Sequence, residues 1–292
     1  MNDISDEKLK GAPVSSSPKI APEKKGSNLK TRLVSAAILA PIAIFLAYYN
    51  GATFLFLVAV FVVALSWEWG KMTRSNGLDH IAGLTLVTAL TMMGTIVWKD
   101  LNLTWTVLAL GALSIYFLTQ DKKLWAVAGV FYIGLPASAL VWLGFGEQYG
   151  FSAIAFIFFV VWTTDSASYG VGRLIGGVKF APTISPNKTW AGFLGGIIGA
   201  AMMGGLFALW LGNTSPKTLA VVAFMVAIAS QYGDLLESSV KRHHKIKDSS
   251  QLIPGHGGAF DRLDGLLSAV MMAALIALFR GGADPAQSLL VW

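Results

Sequence analysis

The 292-residue chain contains no cysteine. Disulfides, zinc–thiolate sites and thiol nucleophiles are therefore excluded, and any metal or covalent chemistry must use carboxylates, hydroxyls, histidines or backbone groups. Charged residues are also scarce, at 13% of the chain, against about a quarter in soluble domains. Hydrophobic residues make up 54% of the chain and the mean hydropathy is +0.61. This composition is that of an integral membrane protein, in which hard cations with oxygen ligands are the default metals.

The first 31 residues contain few apolar side chains and are rich in Ser, Pro, Gly and charge. We predict that they form a disordered tail. A cleaved signal peptide would place a short apolar core near the start, whereas the first apolar run begins at Leu33 and is long enough to span a bilayer. We therefore expect the tail to be retained on the cytoplasmic side.

Nine apolar runs have the length that crosses a bilayer as a helix. The sequence thus predicts an all-α polytopic membrane protein with about nine transmembrane helices. Residues 32–150 hold the first five spans, and residues 151–292 form the region expected to be catalytic. The predicted spans are 33–49, 52–69, 81–98, 103–119, 124–143, 151–164, 189–211, 217–234 and 262–280.

The distribution of basic residues favours a cytoplasmic N-terminus. With nine spans and the tail inside, only Lys99, Lys217 and Arg280 of the 22 Lys and Arg residues fall outside, as the positive-inside rule requires. Orientation and anionic headgroups then explain the net charge of +6 without a nucleic-acid partner. Two long polar loops, 165–188 and 234–262, share the cytoplasmic face, and the active site is expected there.

The second loop carries charge at both ends. At its start, Asp234, Glu237 and Lys241 are spaced to share one face of a helix. At its end, "PGHGGAFDRLDG" puts glycines just ahead of Asp261 and Asp264, which lie one turn apart at the start of the last span. Carboxylates clustered at a membrane boundary repel one another unless a cation lies among them. Two explanations stay open: an ion-pair network with the Lys and Arg residues of the loop, or a divalent cation with oxygen ligands.

The first loop combines glycines with cations. Asp165 opens it, Arg173 follows, and "SPNKTW" places Ser185, Lys188 and Thr189 at the start of the seventh span. Hydroxyls, an ammonium group and free amides at a helix start can bind a phosphate. The nucleotide P-loop pattern GxxxxGK[ST] is absent. An ordinary helix cap after a proline-containing turn is the alternative interpretation.

The stretch "SSVKRHHKIKDSSQLIPGHGGAFDRLD", from Ser238 to Asp264, resembles the signature of phosphatidate cytidylyltransferases, also called CDP-diacylglycerol synthases. The upstream pattern of that family, an Asp followed by Tyr-x-x-G-R and then S-P-x-K-T, is also present. Ala259 and Ala191 depart from the family's usual residues, a larger apolar residue and Glu respectively. The matching residues are Asp165, Tyr169, Gly172, Arg173, Ser185, Lys188, Thr189, Ser238, Lys241, Arg242, Lys247, Asp248, Ser250, Pro254, His256, Gly257, Gly258, Asp261, Arg262 and Asp264.

The resemblance implies transfer of CMP from CTP to phosphatidic acid, giving CDP-diacylglycerol and pyrophosphate, by metal-assisted in-line attack of the lipid phosphate. It implies a magnesium-dependent enzyme, with a second or monovalent cation as an option, that forms a homodimer in the bacterial inner membrane or in eukaryotic endomembranes; we expect the bacterial one. It also implies Asp234 and Asp261 as the main metal ligands, followed by Asp165 and Asp264.

The resemblance further assigns roles to the other matching residues. Those expected to act in catalysis are Asp234, Asp261, Lys241, Arg242, Lys247, Asp248, Arg262 and Asp264. Those expected to bind substrate are Asp165, Arg173, Ser185, Lys188, Thr189, Ser238, His256, Gly257 and Gly258.

Two other function classes predict different sequence features. A transporter would carry its charged groups within the spans and show related halves, whereas here the charges gather on one face and no internal repeat is visible. A CTP-dependent lipid kinase shares weaker loop features and stays open, and it would release CDP rather than pyrophosphate. Outside the two loops, Glu68 in "SWEWGK" is interpreted as a snorkelling interfacial group between two tryptophans, and a role in the site is the alternative.

Overall fold

The structure is a computed structural model that describes residues 45, 48–49, 51–77, 79–253 and 257–292. Eight of the described helices are long and apolar enough to cross a membrane. They are α1 (Gly51–Arg74), α2 (His80–Val97), α3 (Leu101–Leu118), α4 (Lys123–Gly144), α5 (Gly150–Ile175), α6 (Trp190–Leu211), α7 (Pro216–His243) and α8 (Phe260–Arg280).

These helices confirm the predicted helical membrane fold and correspond to the last eight predicted spans. The first predicted span, 33–49, lies outside the described residues except for Phe45, Tyr48 and Tyr49, and so does the predicted tail over residues 1–31. A further short helix, α9 (Pro285–Leu290), follows α8 and is not among the predicted elements.

Two helices extend well past the predicted ends of their spans. Helix α5 continues from residue 164 to Ile175, and α7 continues from residue 234 to His243. The loops predicted to begin at Asp165 and Asp234 therefore begin about three turns later. The apolar runs stop at those aspartates, but the helical backbone continues because polar side chains can extend a helix wherever they have partners.

A short antiparallel hairpin connects α5 to α6, a departure from the purely helical prediction. It consists of β1 (Lys179–Ala181) and β2 (Ser185–Thr189). Phe180 of β1 stacks on Phe193 of α6 with 4.4 Å between ring centroids. Thr189 ends β2 and caps α6, since its Oγ1 accepts a hydrogen bond from the N–H of Gly192 at 3.1 Å. The hairpin is thereby held over the N-terminal end of α6.

Helices α5 to α8 pack against one another in sequence order, and small residues let their backbones approach closely. Gly172 of α5 meets Gly192 of α6, where a Cβ on Gly172 would lie 3.3 Å from the Gly192 Cα. A Cβ on Gly204 of α6 would lie 2.6 Å from the carbonyl oxygen of Leu219 on α7. Close packing through small residues is the usual way membrane helices associate. It brings the polar ends of α5, α7 and α8 together.

An aromatic cluster joins α1, α4 and α8 near the signature segment. Helix α4 contains a π-helical turn, Val130–Gly134, just before Pro136, whose ring has no N–H for the regular helical bond. Tyr132 in this turn stacks on Phe260 of α8, with 5.7 Å between centroids. Trp69 of α1 contacts both rings, at 5.4 and 5.8 Å. The start of α8 is therefore packed firmly against α1.

Candidate active site

Asp261 lies in the first turn of α8, and donors surround its carboxylate. Oδ1 lies 2.7 Å from Nζ of Lys241. Oδ2 accepts hydrogen bonds from the backbone N–H of Gly258 at 2.8 Å and of Ser249 at 3.1 Å, and lies 3.0 Å from the Ser249 Oγ. These charge-assisted bonds come from the loop just before the helix. They fix the direction in which the Asp261 carboxylate faces.

Lys241 bridges two carboxylates on different helices. Its Nζ lies 2.6 Å from Oε2 of Glu237 on α7 and 2.7 Å from Oδ1 of Asp261 on α8. The Glu237 side chain is only 1% exposed, and its Oε1 has no hydrogen-bond partner in the described part of the chain. Glu237 is absent from the predicted site residues, although its helical spacing to Lys241 is visible in the sequence. The buried triad ties α7 to α8.

Asp234 forms a second charged contact two turns earlier on α7. Its Oδ2 lies 2.6 Å from Nζ of Lys188 on strand β2, and its Oδ1 lies 3.4 Å from Oγ of Ser238. The hairpin therefore places Lys188, from the predicted loop 165–188, beside Asp234, from the predicted loop 234–262. The two predicted loops meet at this contact.

Asp165 on α5 and Asp264 on α8 face the same region. The charges of both carboxylates interact with that of Asp234, and the charge of Asp165 also interacts with that of Lys188. The Asp264 Oδ1 accepts a hydrogen bond from the N–H of Gly265 at 2.8 Å. Because the three carboxylates repel one another, the region favours a bound cation.

The fit of this region to the predicted magnesium ion follows from its donors. Among the residues that the structure describes, no three acidic or histidine side chains lie close enough to hold an ion by themselves. Magnesium at phosphate-transfer sites is usually held by one or two carboxylates, while substrate phosphates and water complete its shell. Asp234 and Asp261 each contact an ammonium group, of Lys188 and Lys241 respectively. Both carboxylates therefore already accommodate a positive charge, and their oxygen donors suit a divalent cation.

Several predicted site residues lie further out, with exposed side chains. Arg173 donates through Nη1 to Oη of Tyr169 at 2.8 Å, and Arg242 donates through Nη1 to the carbonyl of Ile246 at 3.0 Å. Their charges lie on the polar side of the carboxylate region, where a polyanion would approach from water. The exposed members of the predicted set are Asp165, Arg173, Arg242, Lys247, Asp248 and Arg262.

The remaining predicted residues have structural contacts or fall outside the described residues. Ser185 is half-buried on β2, and Thr189 is buried and caps α6, as the helix-cap interpretation predicts. Gly257 has a φ of +87°, which suits glycine, and its carbonyl accepts a hydrogen bond from the N–H of Ile253 at 2.9 Å. The predicted substrate-binding residue His256 lies outside the described residues.

The structure contradicts the snorkelling interpretation of Glu68. Its side chain is fully buried, with 0% exposure. The carboxylate accepts hydrogen bonds from the N–H groups of Ala259 and Phe260, both at 2.8 Å, and from the hydroxyls of Ser249 and Ser250. These partners are 181 to 192 residues away along the chain. The sequence signal was an acidic residue in an apolar run, which does not reveal such distant partners.

The adjacent histidines do not contact the carboxylates in this region. The rings of His243 and His244 pack against Trp125, with centroid distances of 5.0 and 4.8 Å. Burial, together with the charges of His243 and Lys122, lowers the pKa of His244 below its ordinary value of 6.5. His244 is therefore neutral at pH 7, and it contributes no charge to the site.

An apolar cavity of about 720 Å³ lies between α1, α4, α5, α6 and α8. Phe54 lines its far end, near the start of α1. Trp162 and Leu263 line its polar end, and they lie within one turn of Asp165 and Asp264 respectively. The volume is in the range of small-molecule sites, about 300 to 1,000 Å³. A hydrocarbon chain in this cavity would end beside the carboxylates.

Comparison with known proteins adds an independent line of observation. A sequence profile described as "Cytidylyltransferase family" matches residues 30–279. The phosphatidate cytidylyltransferase of Brucella suis biovar 1 (strain 1330) is 40% identical over 259 residues, covering 87% of this chain and 93% of that protein. That of Haemophilus influenzae is 32% identical over 279 residues, covering 83% and 96%. That of Bacillus subtilis is 37% identical over 181 residues, covering 61% and 65%.

Proposed function

Because the chain belongs to the cytidylyltransferase family and is thus a nucleotidyltransferase, we propose that it transfers CMP from CTP to phosphatidic acid. An oxygen of the lipid phosphate attacks the α-phosphorus of CTP. The bond between that phosphorus and the oxygen bridging to the β-phosphate breaks, so CDP-diacylglycerol forms and pyrophosphate leaves. The observation that carries the proposal is the pair of carboxylate–lysine contacts, Asp234 with Lys188 and Asp261 with Lys241, beside an apolar cavity.

The nucleophile of this reaction needs no general base. The second pKa of a phosphomonoester is about 6, so the lipid phosphate is largely ionised at neutral pH. The enzyme must instead bring two polyanions together and stabilise the charge that moves onto pyrophosphate, which is a task of positioning and electrostatics. A site built from lysines oriented by carboxylates suits this task, and the neutral His244 is not required.

The two lysine–carboxylate contacts suggest how phosphate groups are held. We propose that Lys188 and Lys241 bind phosphate oxygens of CTP and of the lipid headgroup. Asp234 orients Lys188, while Asp261 and Glu237 orient Lys241. The exposed arginines at the polar end, Arg173, Arg242 and Arg262, then add bidentate contacts to the incoming triphosphate, together with Lys247.

We also propose that magnesium acts at this site, held by Asp234 and Asp261 with Asp165 and Asp264 nearby. When bound, the ion would neutralise phosphate charge and polarise the phosphate oxygens. The side chains that contact Asp234 and Asp261 in this structure are lysines, and an ammonium group suits phosphate oxygens equally well. The same carboxylates can therefore serve the cation while their lysines serve the substrate.

The apolar cavity supports a lipid as the second substrate. Its polar end lies within one turn of Asp165 and Asp264, and its walls continue along α1 to Phe54. We propose that an acyl chain of phosphatidic acid occupies this cavity, so that its phosphate is presented to the carboxylate–lysine region. Burial of apolar surface would then favour binding at roughly 25 cal/mol per Å².

The membrane context follows from the same reasoning. The chain is an integral membrane protein with eight described helices that can span, and its curated relatives are bacterial. We propose that it lies in the bacterial inner membrane as a homodimer, with the N-terminus and the carboxylate–lysine region facing the cytoplasm. The excess of basic residues on that face and the need for CTP support this orientation.

Incubation of the purified protein with phosphatidic acid, magnesium and CTP labelled at the α-phosphate tests the proposal. The label is expected in the lipid, with release of pyrophosphate and loss of turnover in EDTA. Release of CDP with no α-label in the lipid would instead indicate a lipid kinase.

A second experiment tests the assigned site residues. Asp261→Asn should reduce turnover by several orders of magnitude while the protein still folds. The matched control is Glu147→Gln, because Glu147 is 83% exposed and contacts only Lys99 among its ion pairs in the described chain. Near-normal turnover of Asp261→Asn would refute the site assignment.

A further inference from the structure

A carboxylate from the N-terminal half of the chain is built into the segment that carries Asp261. Glu68 lies on α1, outside both sequence motifs, and is fully buried. Its four hydrogen-bond donors all belong to residues 249–260, the last part of the signature segment. A buried carboxylate is costly unless donors satisfy its oxygens, so this arrangement is specific.

Glu68 caps helix α8 from another helix. Ala259 is the N-cap residue of α8, and its methyl side chain offers no hydrogen bond. The Glu68 carboxylate instead accepts from the N–H groups of Ala259 and Phe260, both at 2.8 Å. Unpaired N–H groups and the positive end of the helix dipole at a helix start favour an anion there. Glu68 therefore supplies the missing cap of the helix that begins with Asp261 in its first turn.

Ser249 links Glu68 directly to Asp261. The Ser249 Oγ lies 3.0 Å from Oε2 of Glu68 and 3.0 Å from Oδ2 of Asp261. A hydroxyl has one proton and can donate to only one of these carboxylates at a time, while its backbone N–H donates to Asp261 as well. The position of the loop that holds Asp261 thus depends on Glu68.

The space around this contact is filled. A Cβ added to Gly258 would lie 2.5 Å from Oε1 and 2.8 Å from Oε2 of Glu68. Gly258 is also the residue whose N–H donates to Asp261 at 2.8 Å. The Glu68 carboxylate therefore sets how closely this turn approaches α1, and with it the position of an Asp261 donor.

We propose that Glu68 is a positioning residue of the active site. It holds Ser249, Ser250 and the first turn of α8, so that Asp261, and through it Lys241, keep the geometry of the carboxylate–lysine region. The inference rests on the proposed function for the roles of Asp261 and Lys241. The capping contact itself does not depend on that function.

Glu68→Gln tests the proposal, because it keeps the side-chain size but places an NH₂ group against backbone and hydroxyl donors. Loss of an outer-shell partner typically costs 10- to 100-fold in metal affinity or activity. We therefore expect kcat to fall about 10- to 100-fold and the magnesium concentration for half-maximal rate to rise by a similar factor. The KM for phosphatidic acid should change little, since Glu68 does not line the apolar cavity. Glu147→Gln is the matched control, with unchanged rates.

Amide hydrogen exchange measured without substrate or metal gives a second readout. In Glu68→Gln, exchange over residues 257–263 should accelerate. The first turn of α6, capped by its own Thr189, is the internal reference and should keep its rate. Ser250→Ala removes one of the four donors and should shift exchange and magnesium dependence in the same direction by a smaller factor. If Glu68→Gln does not fold, Ser250→Ala is the variant that tests the proposal.

The outcomes separate the two proposals. If Glu68→Gln leaves kcat and amide exchange unchanged, the positioning role is overturned. It is also overturned if exchange accelerates as much in the first turn of α6 as over residues 257–263 while the magnesium dependence stays unchanged. Local acceleration with raised magnesium dependence supports it. If Asp261→Asn stays active while Glu68→Gln loosens residues 257–263, the proposed function fails and the cap remains. If Asp261→Asn is inactive while Glu68→Gln behaves as the wild type, only the positioning role fails.

Discussion

Replacing Lys241 by methionine removes the single ammonium group that bridges Glu237 and Asp261. Methionine keeps much of the length and packing of the lysine stem, so the change isolates the charge. The two carboxylates are 1% and 10% exposed, and both lose a contact of 2.6 to 2.7 Å. We expect a large loss of stability together with a loss of activity.

The magnitude follows from the distances and the burial. At an effective dielectric constant of about 20, each contact of about 2.7 Å is worth roughly 6 kcal/mol of gross attraction. Desolvation costs several kcal/mol per buried ion, so the net contribution of the intact triad is small. Removing one partner leaves the desolvation cost without the attraction, and breaking a buried pair costs about 3 to 5 kcal/mol. We expect that loss for Lys241→Met.

The free energy of unfolding in mixed micelles, measured by titration with sodium dodecyl sulfate, checks this value. Lys99→Met is the control, because Lys99 is 78% exposed and its partner Glu147 is exposed too; its stability should match that of the wild type. The double variant Lys241→Met/Glu237→Gln should regain part of the stability, since one uncompensated carboxylate is gone. A loss below about 1 kcal/mol for Lys241→Met, or no gain in the double variant, would refute the reasoning.

Three further predictions use other parts of the structure. Gly258→Ala should cost about 1 to 3 kcal/mol through overpacking against the Ser249 hydroxyl and Glu68 and lower kcat; wild-type melting temperature and rates would contradict it. Ala155→Phe narrows the apolar cavity and should raise the KM for long-chain phosphatidic acid but not for CTP, whereas an equal rise for both would argue against an acyl site. Burial raises the pKa of Asp79, but the hydrogen bonds from Arg74 and the Ala82 N–H, together with the charges of Arg74 and His80, outweigh it and leave the pKa below its ordinary value of 3.8. The stability that Asp79 contributes is therefore complete above its unfolded pKa and is lost as pH falls through the lower folded pKa, so Asp79→Asn should differ from the wild type at pH 7 and converge with it in acid unfolding below about pH 4.

Much of the architecture could be predicted because long apolar runs have few alternatives in a bilayer. Each of the last eight predicted spans corresponds to a described helix. The ends were less predictable at Asp165 and Asp234, since an apolar run shows where hydrocarbon ends and not where a helix ends. The contact of Asp234 with Lys188 is made by residues far apart in the sequence, so it is not visible in the apolar pattern.

The candidate site, too, could be predicted from the sequence only in part. Motif spacing indicated Asp261, Lys241 and the other charged residues of the two loops, because the chemistry of phosphate binding restricts residue types. The contacts of Glu68 and Glu237 could not be read in this way. Their partners lie on other helices or far along the chain, and only the packing of α1, α7 and α8 brings them together.

The length of α7 has a consequence for how a lipid is handled. With 28 residues, it extends about 42 Å at 1.5 Å per residue, about 12 Å more than the hydrocarbon thickness of a bilayer. Its last turns, which bear Glu237 and Lys241, can therefore stand at the level of lipid headgroups. The phosphate of a phospholipid could then reach these side chains without entering the hydrocarbon core, while its acyl chains stay within that core. Only the nucleotide would have to diffuse to the site from the aqueous phase.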